Sequence, residues 1–187
     1  MQTDSNTLIE ELLAITERAT NAVKKFKELT PQQLNHRISV DKWSILQCIE
    51  HLNLYGAFYL PEIEKQVLAN KGVAKSSQFK SGIIGNYFAN LMKARNGNII
   101  KKMKSPKDKT PTSSELTITT VERFLKQQEL LKSLLVQARS IDLTKTKVPI
   151  SLTKFIRLRL GDTFRFFIYH IERHISQAES IRANLQF

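Results

Sequence analysis

The sequence predicts an all-α protein, a four-helix bundle with a long crossover between its second and third helices. Apolar residues recur at spacings of three and four in four separate segments, and no segment of convincing two-residue alternation competes with them. The pattern weakens only in a long middle stretch, which divides the four segments into two pairs. With 187 residues the chain suits one medium domain, 1–187, with a continuous core.

Taken in order, the first helix is expected over 6–29, with Thr7 and Glu10 at capping-box spacing and Leu8, Leu12, Ile15, Ala19, Ala22 and Phe26 along one face. Thr30 and Pro31 end it and start a short helical turn, because proline is tolerated at a first helical position. The second helix is expected to start at Ser44, whose hydroxyl can cap free N–H groups while Gln47 completes the box. Ile45, Cys48, Leu52, Tyr55 and Tyr59 define its buried stripe, and Pro61 is expected to kink or interrupt it. Glycines and prolines punctuate 70–114, where one short helix is expected at 86–95. The third helix, 120–139, follows Thr119, which pairs with Glu122 at capping distance. The stretch 141–160 reads as a connection containing Pro149. The fourth helix is expected from Asp162 as N-cap, burying Phe164, Phe167, Ile168, Ile171, Ile175, Ala178 and Ile181.

Composition narrows the function classes. Hydrophobic residues make up 41% and charged residues 25%, as in packed globular chains. No apolar run approaches the ~20 residues that span a bilayer. The first residues lack the basic and apolar regions of a signal peptide, so a cytoplasmic location is expected. The net charge of +12 points to an anionic partner, whether nucleic acid, membrane surface or small substrate. Seven Lys or Arg with one acid, Asp108, fall within 93–109. That segment reads as a solvated connection, since it lacks the aromatic interleaving of a single-strand binding platform.

The chemistry concentrates on histidine. The single cysteine, Cys48, can neither close an internal disulfide nor supply a cysteine-type zinc site. His170 and His174 lie four apart on the fourth helix, so their rings project from one face about a turn apart. His51 occupies the matching flank of the second helix. A pair at this spacing also arises by chance on surface helices, and the third histidine on another amphipathic helix is what favours a metal. Gln177, three residues past His174, and Tyr55, one turn from His51, are candidates to support the ligands or touch substrate. Glu50 and Glu172 adjoin ligands but point about 100° away in a helix, which suits solvated salt bridges. Asn53 is expected to face elsewhere, Cys48 to be a small buried hydrophobe, Trp43 to staple the helix entry, and His36 to lie on the surface. Tyr55 and Tyr169 fit either a pocket wall or aromatic core packing.

These residues resemble the DinB-like (YfiT-like) family of metal-dependent proteins. The resemblance rests on Trp43-Ser44, on Cys48-Ile49-Glu50-His51-Leu52, and on the run Tyr169-His170-Ile171-Glu172-Arg173-His174-Ile175-Ser176-Gln177. The approach at 151–163 is also similar, while the crossover matches only loosely. The resemblance implies a four-helix bundle with one divalent metal held by one histidine of the second helix and two of the fourth, here His51, His170 and His174. It further implies a thiol S-transferase or hydrolase type of enzyme using a metal-bound thiolate or water. Three neutral imidazoles suit Zn²⁺, Ni²⁺ or Fe²⁺ and leave positions open to water or substrate. No acid–base residue is assigned. The expected partners are a small anionic or thiol substrate and, by analogy with paired bundles, a second copy in a homodimer; nucleic acid is not favoured and a membrane is not expected. The alternative is a non-enzymatic, metal-stabilised binding module whose basic surface contacts nucleic acid or a protein.

Overall fold

A computed structural model describes residues 1–93, 105–112, 116–151 and 153–185 of the chain. The protein is mostly helical. In chain order it comprises β1 (Gln2–Asp4), α1 (Ser5–Lys25), α2 (Pro31–Asn35), α3 (Ile45–Ala69), β2 (Gln78–Lys80), α4 (Ile83–Met92), α5 (Thr119–Ala138), β3 (Lys147–Ile150), β4 (Thr153–Arg159) and α6 (Leu160–Ala183). Short 3-10 turns follow α1 at Phe26–Glu28 and precede α5 at Lys107–Lys109. Of the long helices, α1 packs on α5 and α6, and α3 packs on the same two. Their facing stripes bury Leu8, Leu12, Ile49, Leu52, Phe124, Leu131, Phe167 and Ile171, so each helix hides one apolar face from water. Among the described residues no helix is long and apolar enough to cross a membrane.

The helix starts separate local from tertiary control. At α3 the capping box forms as its sequence directs, with Gln47 N donating to Ser44 Oγ at 3.2 Å and Ser44 N donating to Gln47 Oε1 at 3.0 Å. Thr30 and Gln33 form the same reciprocal pair at α2. The expected Thr7–Glu10 box does not form, because Asp4 stands one turn earlier and accepts from the N–H groups of Asn6 and Thr7, both at 2.9 Å. Thr119 is already helical and its hydroxyl meets Thr117 Oγ1 at 2.6 Å, so it cannot cap α5. Pro61 lies inside α3 without ending it. A proline in a helix interior costs about 3 kcal/mol through its missing hydrogen bond and ring clash. Burying Tyr59, Leu60, Ile63 and Val67 around it returns about 1.5–3 kcal/mol each, so the helix continues.

The stretch 141–160, expected as a plain connection, contains an antiparallel hairpin in which Lys147 pairs with Arg159 and Val148 with Leu158. Val148, Ile150 and Leu158 turn inward. A second small sheet pairs β1 with β2. The short helix expected at 86–95 is α4, which starts earlier; residues 94 and 95 lie outside the described residues, as does most of the basic segment 93–109.

Asp162 is not an N-cap. The chain runs from β4 straight into α6, and the first helical N–H groups are satisfied by backbone, Leu160 N on Thr146 O at 2.8 Å and Gly161 N on Leu143 O at 3.1 Å. The Asp162 carboxylate is thereby released to bind the start of α4, accepting from Gly82 N at 2.8 Å and from the Ser81 hydroxyl. Arg165 Nη1 donates to Asp162 Oδ1 and Asn86 Oδ1, both at 3.1 Å, and to Ser81 Oγ at 3.0 Å. This buried pair fastens α4 along α6. Gly85 permits the approach, since a Cβ there would sit 2.5 Å from the Asp162 carboxyl carbon.

Removing one partner of a buried ion pair leaves an uncompensated charge in the interior. Asp162→Ala is therefore expected to cost about 3–5 kcal/mol in chemical denaturation. A loss within the range of ordinary surface substitutions would mean that the clamp does not hold α4.

Candidate metal centre

Helices α3 and α6 bring the three histidines together. His51 lies on the second turn of α3, and His170 and His174 on successive turns of α6. One ring nitrogen of each lies within 4.8 Å of the other two. The Nε2 atoms of His51 and His170 face each other at 3.2 Å. Ring centroids are 4.6 Å apart for His51 and His174 and 4.7 Å for His170 and His174, with the rings edge to face.

Two of the rings are oriented from behind. His51 Nδ1 lies 2.6 Å from the carbonyl oxygen of Lys109, an acceptor only, so it carries the proton and leaves a lone pair on Nε2. His174 Nδ1 lies 3.0 Å from Gln177 Oε1 and by the same reasoning presents Nε2. His170 Nδ1 is buried and has no hydrogen-bond partner. Its ring stacks on Phe166 at 6.0 Å between centroids.

Burial governs the electrostatics. Loss of solvent pulls His51 down to about 4, the proton held toward Lys109 only partly opposing it. Desolvation, with the neighbouring His51 second, takes His174 to about 3. His170 is pulled well below its ordinary value by desolvation, then by His174 and His51. All three are neutral imidazoles at physiological pH, the form that binds metal. Two nitrogens about 2.05 Å from one tetrahedral ion lie about 3.3 Å apart, close to the observed Nε2 separation. The His51–His170 spacing thus suits a divalent ion of the Zn²⁺, Ni²⁺ or Fe²⁺ kind, with a His174 nitrogen within 4.8 Å of both.

The rings open on a cavity of about 280 Å³. Trp43, Tyr55, Tyr59, Phe88 and Phe166 form most of its wall, with Met92, Ile150 and Leu158. Ser105, Ser151 and Arg173 supply the polar edge, and no carboxylate lines it among the described residues. Burial holds the Tyr55 phenol up at about 12, so it stays protonated.

Gln177 supports His174, and Tyr55 lies beside the cluster, 4.5 Å from His170 and 5.0 Å from His51 between centroids. Glu50 pairs with Arg123, and Glu172 with Arg18 at 3.6 Å, both away from the rings. Asn53 faces α5, donating to Thr120 O at 2.9 Å. Cys48 is core, its thiol pushed up to about 12 by burial, and His36 is exposed. Tyr169 is buried beneath Lys93 rather than in the cavity wall. Trp43 does more than staple the helix entry, since its ring stands 4.8 Å from His51 and 5.7 Å from His174. The Lys109 carbonyl and Arg173 were not anticipated. A backbone acceptor has no residue signature, whereas Arg173, next to His174, carried a signal in its position.

A mostly helical fold that gathers three imidazoles, two buried and one half-buried, from two helices around an aromatic cavity defines the class, and a family model confirms it. The model of the DinB superfamily matches residues 12–178, and the chain belongs to that superfamily. No curated protein and no solved structure matches the chain.

Folding holds the three imidazoles neutral where an unfolded chain, with an ordinary value of 6.5, would bind protons. Below that pH the unfolded state binds more protons, so stability falls with pH and goes on falling until the folded values are passed, about 4 for His51 and about 3 for His174. The melting temperature of chelator-treated protein is expected to be level above about pH 7 and to drop steadily below it. His170→Gln should flatten that slope. Equal slopes in the two proteins would assign the dependence to other groups.

Proposed function

We propose that this chain is a metal-dependent enzyme of the thiol S-transferase or hydrolase type, built as a single-domain DinB-type four-helix bundle with His51, His170 and His174 as ligands. The observation that carries the reading is the Nε2-to-Nε2 approach of His51 and His170 at 3.2 Å, inside a cavity and with the opposite nitrogen of His51 already engaged. A divalent ion bound there supplies Lewis-acid activation of a thiol or water at neutral pH.

The chain's own residues do the remaining work. The Lys109 carbonyl and Gln177 fix the tautomers and aim the rings of His51 and His174. Trp43, Tyr55 and Phe166 exclude water from the ring edges, which strengthens electrostatic interactions inside. Arg173 places a cation in the cavity wall, which suits a small anionic or thiol substrate. The described lining offers no carboxylate to take a proton from attacking water. A thiol activated by the ion can lose its proton to solvent, so thiol transfer needs no carboxylate from the lining.

Protein purified without an affinity tag should contain about one equivalent of divalent metal, lost in His51→Ala, His170→Ala and His174→Ala while circular dichroism shows each still helical. Gln177→Leu should keep the site but bind metal about 10- to 100-fold more weakly. A wild-type protein that arrives metal-free and takes up neither Zn²⁺, Ni²⁺ nor Fe²⁺ on titration would end this reading.

A further inference from the structure

The positive charge is distributed unevenly. Residues 65–107 and 143–161 contain no Asp or Glu, yet they hold 15 of the chain's 29 Lys and Arg. The remaining 14 cations are set against all 17 acids, so the whole net charge of +12 comes from these two stretches. They meet in space. Arg159 Nη1 donates to Lys80 O at 2.5 Å, Lys80 N donates to Thr144 Oγ1 at 3.0 Å, and a Cβ on Gly82 would lie 3.4 Å from Arg159 Nε.

The same two stretches expose apolar side chains that a monomer in water has no use for. On α4, Ile83 is 93% exposed, Ile84 53% and Tyr87 61%; on β4, Phe155 is 96% exposed. Strand alternation sets Phe155, Arg157 and Arg159 on one face of β4 while Leu158 turns inward, and Arg159 lies against the turn that begins α4 beside Ile83. Exposed aliphatic and aromatic tips and the exposed cations Lys80, Lys93, Lys147 and Arg157 thus lie on elements that meet at Arg159. Pairing two copies through these elements would set like charges against each other. Nucleic acid would satisfy the cations but leave Ile83 and Ile84 in water, since aliphatic tips offer no stacking face.

We propose that this face docks on the surface of an anionic lipid bilayer, with Ile83, Tyr87 and Phe155 entering the headgroup boundary and the surrounding Lys and Arg resting on lipid phosphates. Such docking lies on the membrane and needs no spanning helix. The inner sides of α4 and the β3–β4 hairpin wall the histidine cavity through Phe88, Met92, Ile150 and Leu158, so the docked face and the cavity share their elements. The proposal does not depend on a metal.

Full-length protein should co-sediment with vesicles of phosphatidylcholine containing about 30% phosphatidylglycerol, and at least about tenfold less with pure phosphatidylcholine. The triple variant Ile83→Ser, Tyr87→Ser, Phe155→Ser changes only exposed side chains, and with an unchanged circular dichroism melt it should lose about tenfold in binding to the anionic vesicles. Absence of binding to those vesicles would overturn the proposal. So would undiminished binding by the triple variant, a short DNA duplex that binds more tightly than the vesicles and ignores the apolar changes, or a solution dimer that the same three changes dissociate.

Discussion

The packing of α3 against α6 sets three imidazoles at the wall of a cavity that no described carboxylate lines. Desolvation is therefore the first force on each ring, and it decides protonation before any ligand arrives. A histidine next to an aspartate would have its pKa raised, and a proton would compete with a metal ion for its nitrogen. Here the orienting partners are a backbone carbonyl and an amide, which fix the tautomer without adding charge. The arrangement costs folding stability in acid and leaves three neutral imidazoles, the form that can bind a metal ion.

The crossover between α3 and α5 belongs to the site. Its α4 is held to the first turns of α6 by the Asp162–Arg165 pair, one or two turns before the histidines. Its 3-10 turn delivers the Lys109 carbonyl to His51, and α4 contributes Phe88 and Met92 to the cavity wall. Helix α6 thus carries two of the three clustered histidines and the anchor for the segment that packs beside them. A change in how α4 seats would be felt as a change in the shape of the cavity.

Much of this was legible in the sequence where the information is local. Ser44 and Gln47 specify the start of α3 because both halves of the capping box sit within one turn, and His170 and His174 declare their shared face through helical spacing alone. The placement of His51 opposite them followed from its flank of the apolar stripe. Asp162 shows the limit. Its type suits an N-cap, but its role was set by Thr146 and Leu143 carbonyls that satisfied the helix start first, leaving its carboxylate for α4. The hairpin escaped because Pro149 interrupts a short alternation and Phe155, an apolar residue, points outward. The Lys109 acceptor is backbone, and any residue could have supplied it.

Trp43 gives the cluster an optical handle. It is the chain's single tryptophan, so all indole emission arises within contact distance of two of the three imidazoles. Protonation of a neighbouring ring, or arrival of an open-shell ion such as Ni²⁺ or Fe²⁺, opens a quenching route, whereas closed-shell Zn²⁺ offers none of its own. The protein's native fluorescence therefore distinguishes classes of occupant without label or tag, and a ligand entering the aromatic cavity changes the polarity around the same indole. The residue that closes one wall of the site is also its reporter.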